Sequence, residues 1–135
     1  MRGFFHGVNI CYYLLVTNTK FVSIYNTMIE TRLGEFEEVL MILVGILDEE
    51  AYAFRIAQEF KTQTGRTISI GSVHSTLDRL EGKGFLSSTM GNATNERGGR
   101  RKRIFKITAL GKRVLKDAYE FKANLWKQYP AFAKS

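Results

Sequence analysis

The chain has 135 residues, 44% of them hydrophobic and 24% charged, which is the composition of one globular domain and excludes a disordered or collagen-like chain. One Cys and two His exclude an internal disulfide and a four-ligand zinc site within one subunit, and they favour a reducing, cytoplasmic location. The formal net charge of +7 indicates an anionic partner, either a nucleic acid or a membrane surface.

Residues 1–27 differ from the rest of the chain because they are rich in aromatic, Asn and Thr side chains and show no helical period. Their longest apolar run, Ile10–Val16, is seven residues long, whereas a membrane-spanning helix needs about 20. A signal peptide fits poorly, because Asn9 interrupts the apolar stretch and no small-residue cleavage site follows. We expect an N-terminal extension that is poorly ordered or that lies upstream of a true start at Met28.

Two helices are predicted between residues 35 and 64. Glu35–Leu47 carries apolar residues at three- and four-residue steps and more on its other face, so we expect a central helix buried nearly all round. Three Glu residues in its first turn suit the helix dipole better than a paired catalytic role. After a short acidic turn, a second helix is predicted from about Ala51 to Thr64, with Gly65 as its C-cap.

The third predicted helix begins after Ser69, a good N-cap, and stops at Gly82. Its apolar stripe consists of Ile70, Val73, Leu77 and Leu80. The opposite side carries small hydroxyl residues beside an Arg, which suit close approach to a duplex and hydrogen bonds to phosphates and base edges. The residues predicted to contact DNA are Ser69, Gly71, Ser72, Ser75 and Arg79. His74 is placed at the edge of the buried stripe, where a packing role is favoured over a phosphate-binding or pH-sensing role.

Two β-prone runs, Phe85–Thr89 and Arg101–Ile107, flank a segment rich in turn residues and predict a β-hairpin. Residues 97–106 carry six basic side chains, the last of them Lys106, and no acid. Basic side chains also protect solvated edge strands, but six of them without an acid repel one another unless a polyanion is present. We therefore predict that this wing contacts nucleic acid. The residues assigned to that contact are Arg97, Arg100, Arg101, Lys102 and Arg103.

A last helix is predicted from Ala109 to about Tyr129, with Thr108 as its cap. Apolar residues alternate along it at four- and three-residue steps, as in a coiled-coil seam. A single terminal helix of this kind has too little domain to bury it, so a second copy of the chain is expected to cover it. The predicted dimer contacts are Val114, Ala118, Phe121, Leu125 and Trp126. Its Trp and Tyr side chains would alternatively line a small-molecule pocket, although a dimer core is the commoner use.

The order helix, helix, helix, basic hairpin, helix predicts a mainly α fold with a small β-hairpin (α+β), a winged helix-turn-helix. Residues 28–108 would form the DNA-binding domain and residues 109–135 a C-terminal dimerisation helix. Charge is polarised along the chain: residues 35–64 carry two basic and seven acidic side chains (net −5), and residues 65–135 carry fifteen and five (net +10). The third helix is expected to enter the major groove, with the acidic first helix away from the DNA.

Two runs of the sequence form a recognisable pattern, GSVHSTLDRLEGKG at Gly71–Gly84 and RGGRRKRIFKITALG at Arg97–Gly111. In this order and spacing they resemble the PadR-like family of transcriptional regulators, and the resemblance extends from about Leu33 to Leu115. The resemblance implies a dimeric, cytoplasmic bacterial repressor, which in some members is released by a bound small molecule. The chain departs from the family pattern at His74, where Tyr is usual, and at Ala53, where Gly is common. No effector-binding residue is carried over, because the family pattern is weak in the C-terminal helices.

These observations favour a sequence-specific DNA-binding regulator, a repressor that binds a palindromic operator in double-stranded DNA as a homodimer. A winged-helix scaffold used as a membrane- or protein-interaction adaptor is the alternative. Stable membrane association is not expected, since a short uncharged segment is a weak anchor. An enzyme is disfavoured, because the sequence contains no phosphate-binding loop, paired-His metal motif or nucleophile elbow. No cofactor or metal is predicted, and a small-molecule effector stays open.

Overall fold

Four helices and one β-hairpin are formed by the residues that the structure describes, 33–91 and 101–131 of a computed structural model. The predicted extension at residues 1–27 and most of the hairpin tip lie outside these ranges. In chain order the elements are α1 (Glu35–Leu47), a 3₁₀ turn (Asp48–Glu50), α2 (Ala53–Thr64), α3 (Ile70–Gly82), β1 (Leu86–Met90), β2 (Arg103–Ile107) and α4 (Ala109–Gln128). The predicted mainly α fold with a small hairpin is confirmed.

Local signals in the sequence set the ends of these helices. The hydroxyl of Ser69 accepts the backbone N–H of Ser72 at 3.1 Å, which caps α3 as predicted. Thr108 caps α4 in the same way, accepting the N–H of Gly111 at 3.0 Å. Gly65 ends α2 in the left-handed conformation, with a φ of 71°, a backbone angle that suits glycine.

The hairpin is antiparallel, and its second strand is joined to the segment between α1 and α2. Leu86 pairs with Ile107 and Met90 with Arg103. Phe105, in the middle of β2, is 1% exposed, and its backbone N–H donates to the carbonyl of Ala51 at 2.9 Å. This bond extends the pairing of β2 to the segment between α1 and α2, so the wing is held at its base by backbone as well as by its buried aromatic ring.

The hydrophobic core of residues 33–115 combines side chains from α1, α2, α3, the hairpin and the first turns of α4. Its most deeply buried large members are Phe105, Leu40, Met41, Ile56, Leu77, Leu80, Leu86, Val44, Val73 and Val114. Three of the four residues in the predicted stripe of α3 are among them. Ile70, the fourth, is 41% exposed, because it lies in the first turn of α3 at the margin of the core.

Two sequence expectations about burial are wrong. Helix α1 is not buried all round: Ile42 and Ile46 are 45% and 61% exposed, because the helix packs through the face of Leu40, Met41 and Val44. His74 is exposed, so the packing role expected for it is wrong. In both cases the apolar or neutral character of a side chain gave no information about which side of its helix meets the rest of the domain.

Residues 33–115 form one compact unit, and the part of α4 from Lys116 onward belongs to a second. Helix α4 therefore begins in the first unit, where Val114 is 2% exposed. Within the described residues, none of the helices has the length and apolar character needed to cross a membrane.

Candidate nucleic-acid interface

The outer face of α3 presents small polar side chains, as the sequence predicts. Ser72, Ser75 and Arg79 are all exposed and follow each other at three- and four-residue steps, so they share one side of the helix. Gly71 stands beside them, and a Cβ placed there would meet no atom within 4 Å. The helix backbone can therefore approach another surface closely at this point, which is a requirement for a helix that enters a DNA groove.

The hydroxyl groups at the start of this face are already ordered. Ser69 Oγ donates to Ser72 Oγ at 2.8 Å, and Ser75 Oγ donates to the carbonyl of Ser72 at 3.2 Å. Each hydroxyl oxygen keeps further acceptor capacity, and that of Ser72 keeps its own proton as a donor. The three side chains thus form a short row of fixed hydroxyl groups along the N-terminal half of α3.

The C-terminal half of α3 is tied to α1 by a group of four residues, here called the Glu37 cluster: Gly34, Glu37, Arg79 and Lys83. Glu37 Oε1 accepts from Arg79 Nε at 2.7 Å and from Lys83 Nζ at 3.1 Å. Glu37 Oε2 accepts from Lys83 Nζ and from the backbone N–H of Gly34, both at 3.0 Å. The carboxylate is 7% exposed and has a donor at each of four acceptor positions, so its burial is compensated.

Burial by itself raises the pKa of Glu37, because desolvation disfavours the charged form. The hydrogen bonds from Gly34, Lys83 and Arg79 outweigh that effect, and the pKa is lowered from its ordinary value of 4.5. A carboxyl group whose folded pKa is depressed stabilises the fold above its unfolded pKa, and this stabilisation is lost as the pH falls through the folded pKa.

We therefore expect Glu37→Gln to lower the free energy of unfolding by about 1–2 kcal/mol at neutral pH, toward the low end of the range for hydrogen bonds to charged groups because Gln keeps one acceptor oxygen. The difference from the wild type should shrink as the pH falls below about 4.5, because the unfolded chain takes up a proton there and the folded carboxylate follows at its lower pKa. Urea unfolding followed by circular dichroism from about pH 7 down to pH 3 measures both quantities. A difference that stays constant over this range would show that the charge of Glu37 adds no stability.

The wing carries a second ion-pair group, which we call the Arg103 clamp. Arg103 Nη1 lies 2.6 Å from Asp78 Oδ1, Nη2 pairs with Glu81, and Nε donates to Ser88 Oγ at 2.9 Å. Its Cζ lies 4.7 Å from the centroid of the Phe105 ring. The hydrogen bond to Asp78 is the main reason that the pKa of Arg103 is raised, and Glu81 adds to it. The clamp connects β2 to α3 and to β1.

The other predicted wing residues differ in their surroundings. Arg101 is exposed, and Lys102 is exposed with its Nζ 4.3 Å from the centroid of the Tyr52 ring, a cation–π contact at the start of α2. Arg97 and Arg100 lie outside the described residues. Among the wing cations that are described, Arg103 is thus the one that pairs with two acids. The sequence predicted a free cation at this position.

The seam predicted along α4 is partly buried. Val114 and Ala118 are 2% and 1% exposed, Phe121 is half-buried, and Leu125 and Trp126 are exposed. The last turns border a cleft of about 640 Å³ whose described lining residues are Lys122, Leu125, Trp126 and Tyr129.

Residues 33–91 and 101–131 bring together no group of three His, Cys, Asp or Glu side chains that could hold a metal ion.

Sequence reasoning missed the acids that hold these cations. A signal for Glu37 was present, because it shares one helical face with Leu40, Met41 and Val44 and so had to be buried with them. Asp78 and Glu81 stand three residues apart, which makes them neighbours on α3 and a natural bidentate site for a guanidinium. Their common partner on β2 could not be identified without the packing of the hairpin.

Known proteins resemble this chain in both sequence and fold. The model of the transcriptional regulator PadR-like family matches residues 40–117, more than half of the chain. A PadR-like transcription factor from Bacteroides fragilis is 25% identical, with a TM-score of 0.56 over 74% of this chain and 91% of its own. A PadR family transcription regulator from Clostridium difficile is 26% identical, with a TM-score of 0.50 over 70% of this chain and 97% of its own.

Bacillus subtilis PadR, solved in complex with operator DNA, has the same fold. It is 19% identical to this chain, with a TM-score of 0.51, and the match covers 64% of this chain and 48% of that one.

Proposed function

The chain belongs to the PadR-like family of transcriptional regulators, as its motifs predicted, and we propose that it is a repressor that binds a palindromic operator as a homodimer. The observation that carries the proposal is the exposed face of α3. Ser72, Ser75 and Arg79 stand there beside the open backbone at Gly71, and the wing that follows α3 carries the exposed cations Arg101 and Lys106. Short donors and acceptors on a helix flanked by positive charge suit the major groove of a duplex.

In this proposal, α3 enters the major groove and the wing follows the adjacent backbone. The hydroxyl of Ser72 donates to a phosphate or a base edge, and the oxygens of Ser69 and Ser75 accept from base N–H groups. Arg79 supplies a guanidinium further along the helix. Arg101 and Lys106, both exposed on or beside β2, neutralise phosphates, and the tip residues Arg97 and Arg100 extend this contact. The operator-bound structure of Bacillus subtilis PadR supports the use of this fold for DNA binding.

The homodimer is proposed from the exposed apolar side chains of α4. Tyr119 is 71% exposed and Leu125 is 47% exposed, which is an unusual amount of apolar surface for one helix of a monomer. A partner helix would cover them, and twofold symmetry would place two α3 helices on half-sites about one helical turn apart. Nothing in the described residues identifies an effector, and the proposal does not depend on one. Its setting is the cytoplasm, where an operator is accessible.

Titration of DNA binding with salt tests this function. If a dimer engages about eight phosphates, the log–log plot of affinity against salt should have a slope near −7, so affinity falls by about four orders of magnitude from 50 to 200 mM salt. The duplexes are the intergenic DNA upstream of the chain's own gene and a scrambled duplex of equal length. A preference for the first at moderate salt is expected. Equal affinity for both duplexes, with no enrichment of any sequence from a randomised library, would contradict sequence-specific regulation.

A further inference from the structure

The Glu37 cluster determines which way Arg79 faces. Arg79 uses its Nε to bind Glu37 Oε1 at 2.7 Å, and its side chain is nevertheless 55% exposed. Its two Nη groups make no hydrogen bond within the part of the chain that the structure describes. The buried carboxylate therefore holds the inner edge of the guanidinium, and the outer edge with its Nη–H donors is left for a partner beyond the protein.

The free edge of a guanidinium held in this way has a defined chemistry. Its parallel N–H groups match the O6 and N7 acceptors of guanine or two oxygens of one phosphate. An unattached Arg side chain samples many rotamers and must lose that freedom on binding, whereas an Arg already fixed in the free protein loses less. Fixing Arg79 before DNA arrives should therefore favour the duplex that offers a matching pair of acceptors.

Charge within the cluster is arranged so that this anchor does not repel DNA. Glu37 contributes −1, and Arg79 and Lys83 contribute +1 each, which leaves the three side chains with a net charge of +1. Lys83 Nζ lies 3.0 Å from Glu37 Oε2 and about the same distance from Oε1, so it neutralises the carboxylate directly. Arg79 can then be oriented by an acid without losing its attraction to a polyanion.

We propose that Glu37, on the first helix, is a positioning residue for DNA recognition, which acts through Arg79 by holding its guanidinium edge toward the duplex. This inference rests on the proposed function, since it assigns a role within the same interface. It predicts that removing the charge of Glu37 reduces the preference for one duplex over another, which a purely electrostatic effect would not do. Removing a negative charge near DNA should strengthen binding to every duplex, whereas loss of the anchor should weaken binding to the preferred duplex.

The test is a double-mutant cycle on the full chain with Glu37→Gln, Arg79→Met and the combination of both. Each protein is titrated with the duplex selected by the wild type from a randomised library and with a scrambled duplex, at one salt concentration. We expect Glu37→Gln to lower the ratio of the two affinities about tenfold when Arg79 is present. In the Arg79→Met background, the same change should leave the ratio unaltered.

Glu37→Asp is the matched control, because it keeps the charge and withdraws the carboxylate by one methylene. If the position of the carboxylate against Arg79 is what matters, Glu37→Asp should lower the affinity ratio as Glu37→Gln does, and only in proteins that keep Arg79. Thermal unfolding of each variant separates this effect from a loss of fold. A merely structural role would make Glu37→Gln weaken both duplexes in both backgrounds, in step with the melting temperature.

Three results would overturn the proposal: equal effects of Glu37→Gln with and without Arg79, tighter binding of both duplexes after Glu37→Gln, or an unaltered ratio for Glu37→Asp. They differ from a failure of the proposed function, in which the wild type itself selects no duplex from the library. In that case both proposals are wrong.

Discussion

Replacing Gly111 by alanine is expected to lower the free energy of unfolding by about 3 kcal/mol and the melting temperature by about 10 °C or more. Gly111 lies in the first turn of α4, and a Cβ there would overlap the carbonyl oxygen of Phe85 and lie 2.9 Å from Ile107 Cγ2. The same carbonyl accepts the backbone N–H of Thr108 at 3.0 Å and its hydroxyl at 3.1 Å. A backbone atom with two partners cannot move aside without breaking the junction of α3, β2 and α4.

Gly71→Ala is the matched control, because it makes the same substitution in a helix where the added Cβ meets no atom within 4 Å. It should raise stability by about 0.5–1 kcal/mol, since alanine loses less backbone entropy than glycine in a helix. Urea unfolding of the three proteins compares the midpoints at equal slope. Equal stability of Gly111→Ala and the wild type would mean that α4 is not packed against the base of the wing as described.

The parts of the fold that the sequence predicted are those controlled by neighbours along the chain. Helix α1 has the predicted bounds, Glu35–Leu47, and the cap at Ser69 and the end of α2 at Gly65 are where short-range patterns indicated them. A capping hydroxyl or a left-handed glycine acts on residues two to four positions away, so its effect is visible in one sequence. The predicted strands begin one to two residues early, because strand ends depend on pairing.

The parts that the sequence could not predict depend on distant contacts. Arg79 and Glu37 are 42 positions apart, and Arg103 is 25 positions from Asp78. Counting charges along the wing treated each Arg as a free cation, whereas the tertiary structure gives two of the predicted DNA-contact residues an acid partner. The orientation of α1, which leaves Ile42 and Ile46 exposed, is decided by the same packing and follows from no periodicity in the helix itself.

The Arg103 clamp leads to a second expected result, in which two neighbouring arginines of the wing have different effects. Arg103→Met should lower the free energy of unfolding by about 1–2 kcal/mol, because Asp78 and Glu81, one turn apart on α3, then lose their shared cation. This range allows for screening by water, since the Arg103 side chain is 37% exposed. DNA affinity should fall for all duplexes alike, because the wing loses its attachment to α3 and two uncovered carboxylates repel phosphates.

Arg101→Met should weaken DNA binding without lowering stability. Arg101 is exposed, and we expect its loss to change stability by less than about 0.5 kcal/mol. It should reduce the salt slope of DNA binding by about one for each subunit, as expected when one phosphate contact disappears. Salt titrations and urea unfolding of both variants show whether each arginine stabilises the fold or contacts a phosphate. If Arg103→Met keeps wild-type stability and reduces the salt slope, Arg103 is a phosphate contact as its sequence context indicated, and the clamp opens when DNA binds.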